Sequence, residues 1–428
     1  MATTGTVHRQ PPEQAPVGAL HVAAVTSSLA DPKMAVADIA ARLDLQARGK
    51  PDFVTIHHGS GRSAAALWPH LTATFGGTAL HGGSSCLGVM TADGVDIGQG
   101  DAIGAFAIWD RAGCYGSAMV PFGDSARLAA IAATRLALAR AGRAGEAPEL
   151  VWLTSTPGHE EAVLEGIKEV IGRPALIVGG SAADNAVAGE WCAGSGDGVS
   201  NAAVVVSVLF PSTPFGCAYE SGYAPTDRRG TVTQAEGRRL LQIDGRPATE
   251  VYGEWTDGRI QPPQTGSRSI LSEATLAPLG RRYTDVDGIP IHLLAHPAVA
   301  HADGGLELFA NVAEGEEICL MEGSEASLIQ RAGCIAASSR DQLGAIPAAG
   351  ALVVYCGGCM LAVREHMDNV AAGVATGLGA VPFLGVFSFG EQGEMLDGDS
   401  AHGNLMISCI TFGRGRPRGS QHGLREQP

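Results

Sequence analysis

The chain has 428 residues, of which 45% are apolar, and its formal net charge is −15 at pH 7. That apolar fraction is enough to build a sizeable core, which excludes global disorder. The negative charge argues against a nucleic-acid partner, because a phosphate backbone requires a basic surface. We therefore expect an acidic cytoplasmic protein with two or three domains, or with two halves built from repeats.

The two ends of the chain differ in composition from the rest. Residues 1–17 are polar, contain several prolines and lack the apolar segment of a signal peptide, so they predict a disordered leader. Residues 414–428 are rich in glycine, arginine and proline and predict a disordered tail. No apolar run has the length of a membrane-spanning helix, so we expect no membrane association.

The first predicted elements are a strand in ALHVAAVTSS and a helix directly after it. Asp31 is suited to cap this helix, and Pro32 is suited to its first position. Three longer stretches then repeat one pattern of strand, polar loop, amphipathic helix, strand and small-residue loop. They begin at Phe53 (FVTIHHGS), Leu150 (LVWLTSTPGHEE) and Ala351 (ALVVYCGGC). Each repeat has the length of a βαβ crossover, which predicts parallel strand pairs.

After each small-residue loop the chain continues with a turn and a strongly apolar strand, such as NAAVVVSVLF after the second loop. The repeats therefore predict β-α-β-loop-β units, and an α/β fold with mixed sheets in two halves. Residues 211–297 differ from the repeats in their sequence pattern. We place the boundary between the two halves within them, near residue 240. A turn at Asp244-Gly245 and a helix beginning near Pro247 are predicted in this region.

The ordered set of motifs resembles the FIST family, whose name stands for F-box and intracellular signal transduction. HGGSSCLG and IVGGSAADN are similar to the family's two Gly-Ser loops, and TVTQAEGRRLLQIDGRPATEVY is similar to the start of its C-terminal domain. GVFSFGEQGEMLDGDSAHGNLMISCITFG resembles the family's ending. The chain departs from the family at Gly88, which is followed by Val89 where the family commonly has a Gly-Glu pair.

The resemblance implies a FIST N-like domain over residues 18–240 and a FIST C-like domain over residues 241–413. It implies a sensory protein of bacterial signal transduction that binds a small ligand such as an amino acid and has no established enzymatic activity. It also implies a signalling partner, either a histidine kinase or a cyclic-dinucleotide enzyme. The opening LHVAAVTSSLADPKMAV resembles a subgroup that binds haem and senses nitric oxide, so a haem-binding gas sensor is an alternative.

The loop that begins at Gly179, Gly180 and Ser181 is the first candidate for the ligand site. Two glycines after a buried strand let the backbone approach a ligand closely, and the amides that follow can face an anionic group. Asp184 and Asn185 would then bind an amine or a hydroxyl. The alternative is a tight turn in which these two side chains cap their own backbone.

Ser84 and Ser85, in the paired loop HGGSSC, are further candidate ligand-binding residues. A nucleophilic serine, or the neighbouring Cys86, with His81 as its base would instead make the protein an enzyme. No positioned acid is apparent beside them, so we expect pocket lining rather than catalysis.

Glu391 and Asn404 are the candidates in the third loop, together with His402. A carboxylate at a strand end supplies charge-assisted hydrogen bonds to a ligand amine. The alternative is a surface acid and a turn asparagine. Haem would require one axial histidine in an apolar pocket. Four histidines near strand ends or in loops are candidates, and the sequence favours none of them over the others: His57, His58, His159 and His402.

Cys356 and Cys359 form a CxxC motif that ends a buried strand and precedes a helix, which is the context of a redox-active pair. The nine cysteines, however, are odd in number and lie mostly in apolar segments, which predicts reduced, buried thiols. We therefore expect Cys356 and Cys359 to be small residues buried in the core. The alternative is that they carry out thiol chemistry. No metal site is predicted, because the second cysteine pair of a zinc site is missing.

Overall fold

The structure is a computed structural model that describes residues 20–415. The predicted leader, residues 1–17, and all but the first two residues of the predicted tail lie outside the described residues. Three units of similar topology follow one another, and a β-rich insertion separates the first strand of the third unit from its remainder. The α/β class with mixed sheets is as predicted.

The first two units are continuous in sequence and have nearly the same order of elements. The first contains β1 (His21–Ser27), α1 (Pro32–Arg42), α2 (Leu45–Arg48), β2 (Phe53–Gly59), α3 (Ala64–Phe75), β3 (Ala79–Ser85), β4 (Val89–Thr91), β5 (Gly94–Asp96) and β6 (Ile103–Trp109). The second contains β7 (Cys114–Pro121), α4 (Ala126–Arg140), β8 (Leu150–Ser155), α5 (Glu160–Ile171), β9 (Ile177–Ser181), β10 (Ala193–Ser195), β11 (Gly198–Ser200) and β12 (Ala203–Phe210).

The third unit begins with β13 (Phe215–Ser221) and is then interrupted. The insertion contains β14 (Ala224–Glu236), β15 (Arg239–Ile243), β16 (Arg246–Pro247), α6 (Ala248–Trp255), β17 (Ser267–Ser269), α7 (Leu271–Ala274), β18 (Leu279–Val286), β19 (Ile289–Ala295), β20 (Pro297–His301), β21 (Leu306–Leu308) and β22 (Glu317–Glu322). The unit resumes with α8 (Glu325–Asp341), β23 (Ala348–Cys356), α9 (Gly357–Ala362), a 3₁₀ turn (Arg364–His366), α10 (Met367–Leu378), β24 (Phe383–Ser388), β25 (Glu391–Glu394), β26 (Ser400–Gly403) and β27 (Met406–Gly413).

Each unit contributes four strands to one sheet in the same spatial order. The orders are β1-β6-β2-β3, β7-β12-β8-β9 and β13-β27-β23-β24. The last two strands of each set, which flank a helix in sequence, are parallel. The predicted βαβ crossovers are therefore confirmed, and the apolar strand that ends each unit returns antiparallel between its neighbours.

Each small-residue loop leads into a short hairpin that joins the sheet of a different unit, and we call these the exchanged hairpins. The hairpin β4–β5 pairs with β24 of the third unit, β10–β11 pairs with β3 of the first, and β25–β26 pairs with β9 of the second. The pairing satisfies main-chain groups along what would otherwise be open sheet edges. Because every unit gives one hairpin and receives one, the three units close into a cycle.

The three sheets share an apolar core on their inner faces and are covered by helices on their outer faces. The inner core contains Phe53, Trp152, Leu352 and Phe412, among others. On the outer faces, α1 and α3 cover the first sheet, α4 and α5 the second, and α8 and α10 the third. None of the helices between residues 20 and 415 is long and apolar enough to cross a bilayer.

The local signals read from the sequence account for several helix and turn positions. The carboxylate of Asp31 accepts the main-chain N–H of Met34 at 2.8 Å, and Pro32 is the first residue of α1, as predicted. The insertion forms a nine-stranded sheet with its own core. Its predicted turn is confirmed, since Asp244 and Gly245 have φ values of 51° and 75° between β15 and β16. Residue 240 lies in β15, and a domain boundary there stays a prediction.

Candidate functional site

The carboxyl ends of the three parallel strand pairs carry the three small-residue loops, and main-chain hydrogen bonds join these loops. We call residues 84–86, 181–183 and 387–389 the junction loops. The N–H of the third residue of one junction loop donates to the carbonyl of the first residue of another: Ala183 to Ser84 (3.1 Å), Phe389 to Ser181 (3.1 Å) and Cys86 to Phe387 (2.9 Å). The three bonds form a closed cycle, so the loops meet at one place.

Glycines before the second junction loop permit this close approach. A Cβ atom on Gly179 would lie 2.0 Å from the carbonyl oxygen of Leu153, and one on Gly180 would lie 2.6 Å from the Cβ of Ser388. Both distances are too short for real Cβ contacts, so neither position accepts a side chain without movement of its neighbours. The two predicted glycines are therefore required by packing between strands and loops.

A small cavity lies among the junction loops, and we call it the central cavity. About 10 Å³ of it is open to the centre of a water molecule, which is room for about one water. It is lined by His57, Ser84, Trp152, Thr154, Gly180, Ser181, Ala182, Val386, Phe387 and Ser388. The structure thus brings together three predicted site residues, Ser84, Gly180 and Ser181. Sequence reasoning missed Ser388, although it follows a predicted strand just as Ser181 does.

The hydroxyl of Ser181 is held by a buried acid that the sequence analysis did not identify. Ser181 Oγ donates to Oε1 of Glu160, the first residue of α5, at 2.6 Å. Arg238 of the insertion binds Glu160 at 2.5 Å and Glu161 at 2.8 Å. Burial by itself would raise the pKa of Glu160, but nearby His402 and Arg238 and the hydrogen bond from Ser181 lower it below its usual value. The sequence feature that could have identified Glu160 is the pair of acidic residues at the start of the predicted helix.

Glu391 is fully buried, which excludes the interpretation of a surface acid. Its Oε1 lies 2.6 Å from Ser388 Oγ, and its Oε2 accepts the N–H of Met406 at 3.0 Å. Burial, and secondarily the Cys356 thiol, raise the pKa of Glu391 well above its usual value. Complete burial without a cationic partner therefore favours the neutral acid over the charged carboxylate expected from the sequence.

The two serines of the first junction loop bind main-chain groups that directly precede exchanged hairpins, and a main-chain N–H of the third junction loop. Ser84 Oγ accepts the N–H of Cys192 at 2.9 Å. Ser85 Oγ donates to the carbonyl of Gly88 at 2.5 Å and accepts the N–H of Phe387 at 2.8 Å. The hydroxyl of Ser85 thus bridges the N–H of Phe387 and the carbonyl of Gly88. In the second unit the corresponding contact is direct, because the N–H of Ser181 donates to the carbonyl of Gly390 at 2.7 Å. The structural role of Ser85 is to join the third junction loop to the exchanged hairpin β4–β5.

Asp184 and Asn185 bind main-chain groups, as in the turn interpretation. The Asp184 carboxylate accepts three N–H groups, from Ala186, Ala188 and Glu190, at 2.7 to 2.9 Å. Asn185 accepts the N–H of Leu87 at 2.7 Å and donates to the carbonyl of Gly100 at 3.0 Å. Neither side chain is among the residues that line the central cavity.

Asn404 and His402 are not among the residues that line the central cavity. Asn404 accepts the N–H of His296 at 3.1 Å, and its buried Nδ2 has no hydrogen-bond partner among the described residues. His402 contacts the side-chain amide of Gln392 and the carbonyl of Phe309, each at 3.3 Å. The structure therefore does not place these two predicted residues against the central cavity.

The central cavity does not fit a haem. His57 is the histidine that lines it, and burial, with a smaller contribution from His58, lowers the pKa of His57 to about 3. A porphyrin is far larger than a space for one water, so haem binding at His57 would require these loops to separate much further than they would for a small ligand.

The candidate nucleophiles are in surroundings that disfavour the thiolate. Burial raises the pKa of Cys86 to about 12 and that of Cys356 well above its usual value. His81 contacts Ser207 at 2.7 Å and Thr154 at 2.9 Å, and not Ser84. Over residues 20–415, no group of three or more histidine, cysteine or acidic side chains is arranged to hold a metal ion.

Two family models match consecutive parts of the chain. The FIST N domain matches residues 52–246 and the FIST C domain matches residues 248–394. The chain belongs to the FIST family. FIST domains are sensor domains of signal transduction, which supports a sensory role for this FIST protein.

Further comparisons concern individual proteins. The uncharacterized protein MJ1623 of Methanocaldococcus jannaschii is 34% identical to this FIST protein over 90 residues, and the match covers 21% of this chain and 18% of that protein. Cyanuric acid hydrolase from A. caulinodans is similar in structure with a TM-score of 0.35 and 12% identity, over 91% of this chain and 99% of the other. A second cyanuric acid hydrolase structure gives a TM-score of 0.34 and 10% identity, over 92% and 100% of the two chains.

Proposed function

We propose that this FIST protein is a cytoplasmic sensor that binds a small ligand, such as an amino acid, at the junction loops and is not an enzyme. The observation that carries this proposal is the closed cycle of three junction loops around the central cavity. Open α/β sheets bind ligands beyond the carboxyl ends of their parallel strands, which is where these loops lie.

The site has a physical connection to the insertion through the contacts from Ser181 to Glu160 and from Glu160 to Arg238. The central cavity has room for about one water, so a ligand enters by separating the junction loops. Such a movement shifts Ser181 and with it the contact to Arg238. A ligand produces a signal only if it binds one arrangement better than the other. A histidine kinase or a cyclic-dinucleotide enzyme would be the partner that reads this shift.

Thermal unfolding in the presence of each of the twenty amino acids tests the proposal. A ligand at one hundred times its dissociation constant stabilises the folded protein by about 2.7 kcal/mol, which raises the unfolding temperature by several degrees. We expect Ser181→Ala to abolish the shift and the matched variant Ser269→Ala, on the exposed strand β17, to keep it. A shift that survives in Ser181→Ala places the ligand elsewhere, and the lack of any shift contradicts amino-acid binding.

Haem binding is tested by a separate measurement, because the central cavity is too small for haem. We expect titration with haemin to give no saturable Soret band. A sharp band that shifts with nitric oxide would replace the amino-acid proposal by the gas sensor.

A further inference from the structure

Two hairpin ends on the surface carry a group of exposed apolar side chains, and we call this group the hairpin patch. Its members are Tyr283, Val286 and Ile289 on the hairpin β18–β19 of the insertion, and Leu396 in the turn between β25 and β26. They are 37%, 36%, 65% and 68% exposed, in that order. Apolar side chains that are exposed singly need no explanation, whereas a group of them marks an interaction site.

Side-chain contacts hold the two hairpins next to each other. Tyr283 Oη donates to a carboxylate oxygen of Asp397, the residue after Leu396, at 3.2 Å. Further along, the guanidinium of Arg281 donates to the carbonyl of His402 at 3.4 Å. The two hairpins therefore run side by side, and Leu396 lies at the same end as the tip of β18–β19.

The apolar face of the hairpin β18–β19 is covered at one end and bare at the other. In β19, Ile291 and Leu293 pack against the core of the third unit. Ile289 stands at the same two-residue spacing and lies on the same face, but it is largely exposed. Val286 pairs with Ile289 across the hairpin and shares that face. The hairpin patch is thus the uncovered continuation of a face that packs on the core.

Acidic groups at the rim of the hairpin patch exceed the basic ones. Asp287 is exposed in the turn of β18–β19. Within residues 20–415, Asp397 contacts the hydroxyl of Tyr283 and a main-chain N–H rather than a basic side chain. The exposed arginines nearby each already face two acids: Arg282 faces Asp285 and Glu317, and Arg173 faces Glu165 and Asp399. The rim therefore carries a surplus of negative charge, which attracts a basic surface.

We propose that the hairpin patch docks a partner protein whose own surface is apolar at its centre and basic at its rim. That protein would bury the four apolar side chains, and its lysines and arginines would face Asp287 and Asp397. A second copy of this chain fits less well, because it brings the same acidic rim and the chain carries a net charge of −15. An anionic membrane is disfavoured for the same reason.

The exchanged hairpin β25–β26 connects the hairpin patch to the junction loops. Strand β25 begins at Glu391, close behind the third junction loop, and pairs with β9. Leu396 belongs to this hairpin, whereas Val286 and Ile289 belong to the insertion. A displacement of the third junction loop would therefore change the shape of the patch. Binding of the partner does not require the proposed ligand, but its role as the reader of the signal rests on the proposed function.

Binding of synthetic amphipathic peptides to the full chain tests the proposal without a ligand. One peptide presents leucines on one helix face and lysines on the other, and a second peptide has glutamate in place of each lysine. Fluorescence anisotropy of the labelled peptides gives the two affinities. The lysine peptide should bind saturably and more weakly as the salt concentration rises, and the glutamate peptide should not bind.

Substitutions in the hairpin patch locate the binding. Leu396→Ser and Ile289→Ser should each weaken binding of the lysine peptide about tenfold, because each removes apolar surface that the complex buries. Leu128→Ser is the matched control and should keep wild-type affinity, since Leu128 is 61% exposed on α4, which packs against β7 and β12. Asp287→Asn and Asp397→Asn should each weaken binding about threefold and reduce its dependence on salt.

Equal binding of the two peptides, or equal affinities of Leu396→Ser and Leu128→Ser, would overturn the inference. Sedimentation of the chain alone tests the other occupant, because a dimer that dissociates in Leu396→Ser would assign the patch to a second copy. Binding of the lysine peptide at the patch, in a protein whose unfolding temperature shifts with no amino acid, would support this inference and remove the proposed ligand. An amino-acid shift without peptide binding would do the reverse.

Discussion

The N–H of Ala183 donates to the carbonyl of Ser84 over 3.1 Å, although the two residues belong to different units. Equivalent bonds join the second loop to the third and the third to the first. Each junction loop is therefore held by both of the others. A displacement of one loop would therefore strain its hydrogen bonds to both of the others.

Gly180→Ala should destabilise the protein. The added Cβ would lie 2.6 Å from the Cβ of Ser388 and 2.9 Å from a methyl of Val354, and overpacking of this kind costs about 1–3 kcal/mol. Urea denaturation measures the loss. Gly196→Ala is the matched control, because its Cβ meets no atom within 4 Å, and it should stay within about 0.5 kcal/mol of the wild type. Equal stabilities of the two variants would contradict the close approach at Gly180.

Arg238→Gln should destabilise the protein by about 3–5 kcal/mol, because it leaves the carboxylate of Glu160 buried without its charged partner. Arg246→Gln removes an exposed ion pair with Glu254 in the same insertion and should change the stability far less, because solvent screens exposed pairs. Chemical denaturation of both variants gives the comparison. Similar small losses would mean that Arg238 does not stabilise a buried charge.

Glu391 should make stability fall as the pH rises. An unfolded glutamate ionises near pH 4.3, whereas burial raises the pKa of folded Glu391, so the folded protein keeps a proton that the unfolded chain releases. The stability linked to this proton is present below pH 4.3 and is lost toward the raised pKa. Glu391→Gln cannot lose it, so the stability of this variant relative to the wild type should rise with pH above about 4.3, by at most about 1.4 kcal/mol per pH unit.

Glu161→Gln is the control for this pH dependence. Burial opposes ionisation of Glu161, but His402 and Arg238 lower its pKa to about 2. Glu161 is therefore ionised in both the folded and the unfolded chain from pH 5 to 7. The stability difference between Glu161→Gln and the wild type should be constant over that range. A constant difference for Glu391→Gln as well would show that Glu391 is ionised when folded.

Thiol alkylation at pH 7.5 should modify Cys334 first. Cys334 is exposed on α8, whereas burial raises the pKa of Cys86 to about 12 and that of Cys356 well above its usual value. Mass spectrometry after a short treatment with iodoacetamide identifies the labelled residue, and Cys334→Ser should remove the early signal. Rapid labelling of Cys86 or Cys356 would favour the alternative of a thiol-dependent enzyme.

Local signals in the sequence were sufficient for much of the fold. The capping of α1 by Asp31, the three crossovers and the turn at Asp244-Gly245 depend on neighbouring residues, and all are confirmed. The exchanged hairpins were not predicted. The strand β4 has three residues and pairs with β24, almost three hundred positions away, so no local pattern identifies its partner.

The same limit applies to the site. Gly180 and Ser181 belong to a small-residue loop motif, and the sequence identified them. The contact between Ser181 and Glu160, however, depends on where α5 begins in space. Glu391 was identified as an acid beside a ligand. The raised pKa of Glu391 follows from complete burial, which the flanking glycines and polar residues do not indicate.

The sequence by itself determined the repeated units, their α/β class and the small-residue loops at the strand ends, because hydrophobic periodicity, caps and turn residues act over short distances along the chain. The tertiary structure alone decided that the units exchange hairpins, that three loops close into one cycle, and that the pKa values of two buried acids, Glu160 and Glu391, shift in opposite directions. Those features depend on which groups burial brings together and which counter-charges reach them, and residues far apart in the sequence supply both.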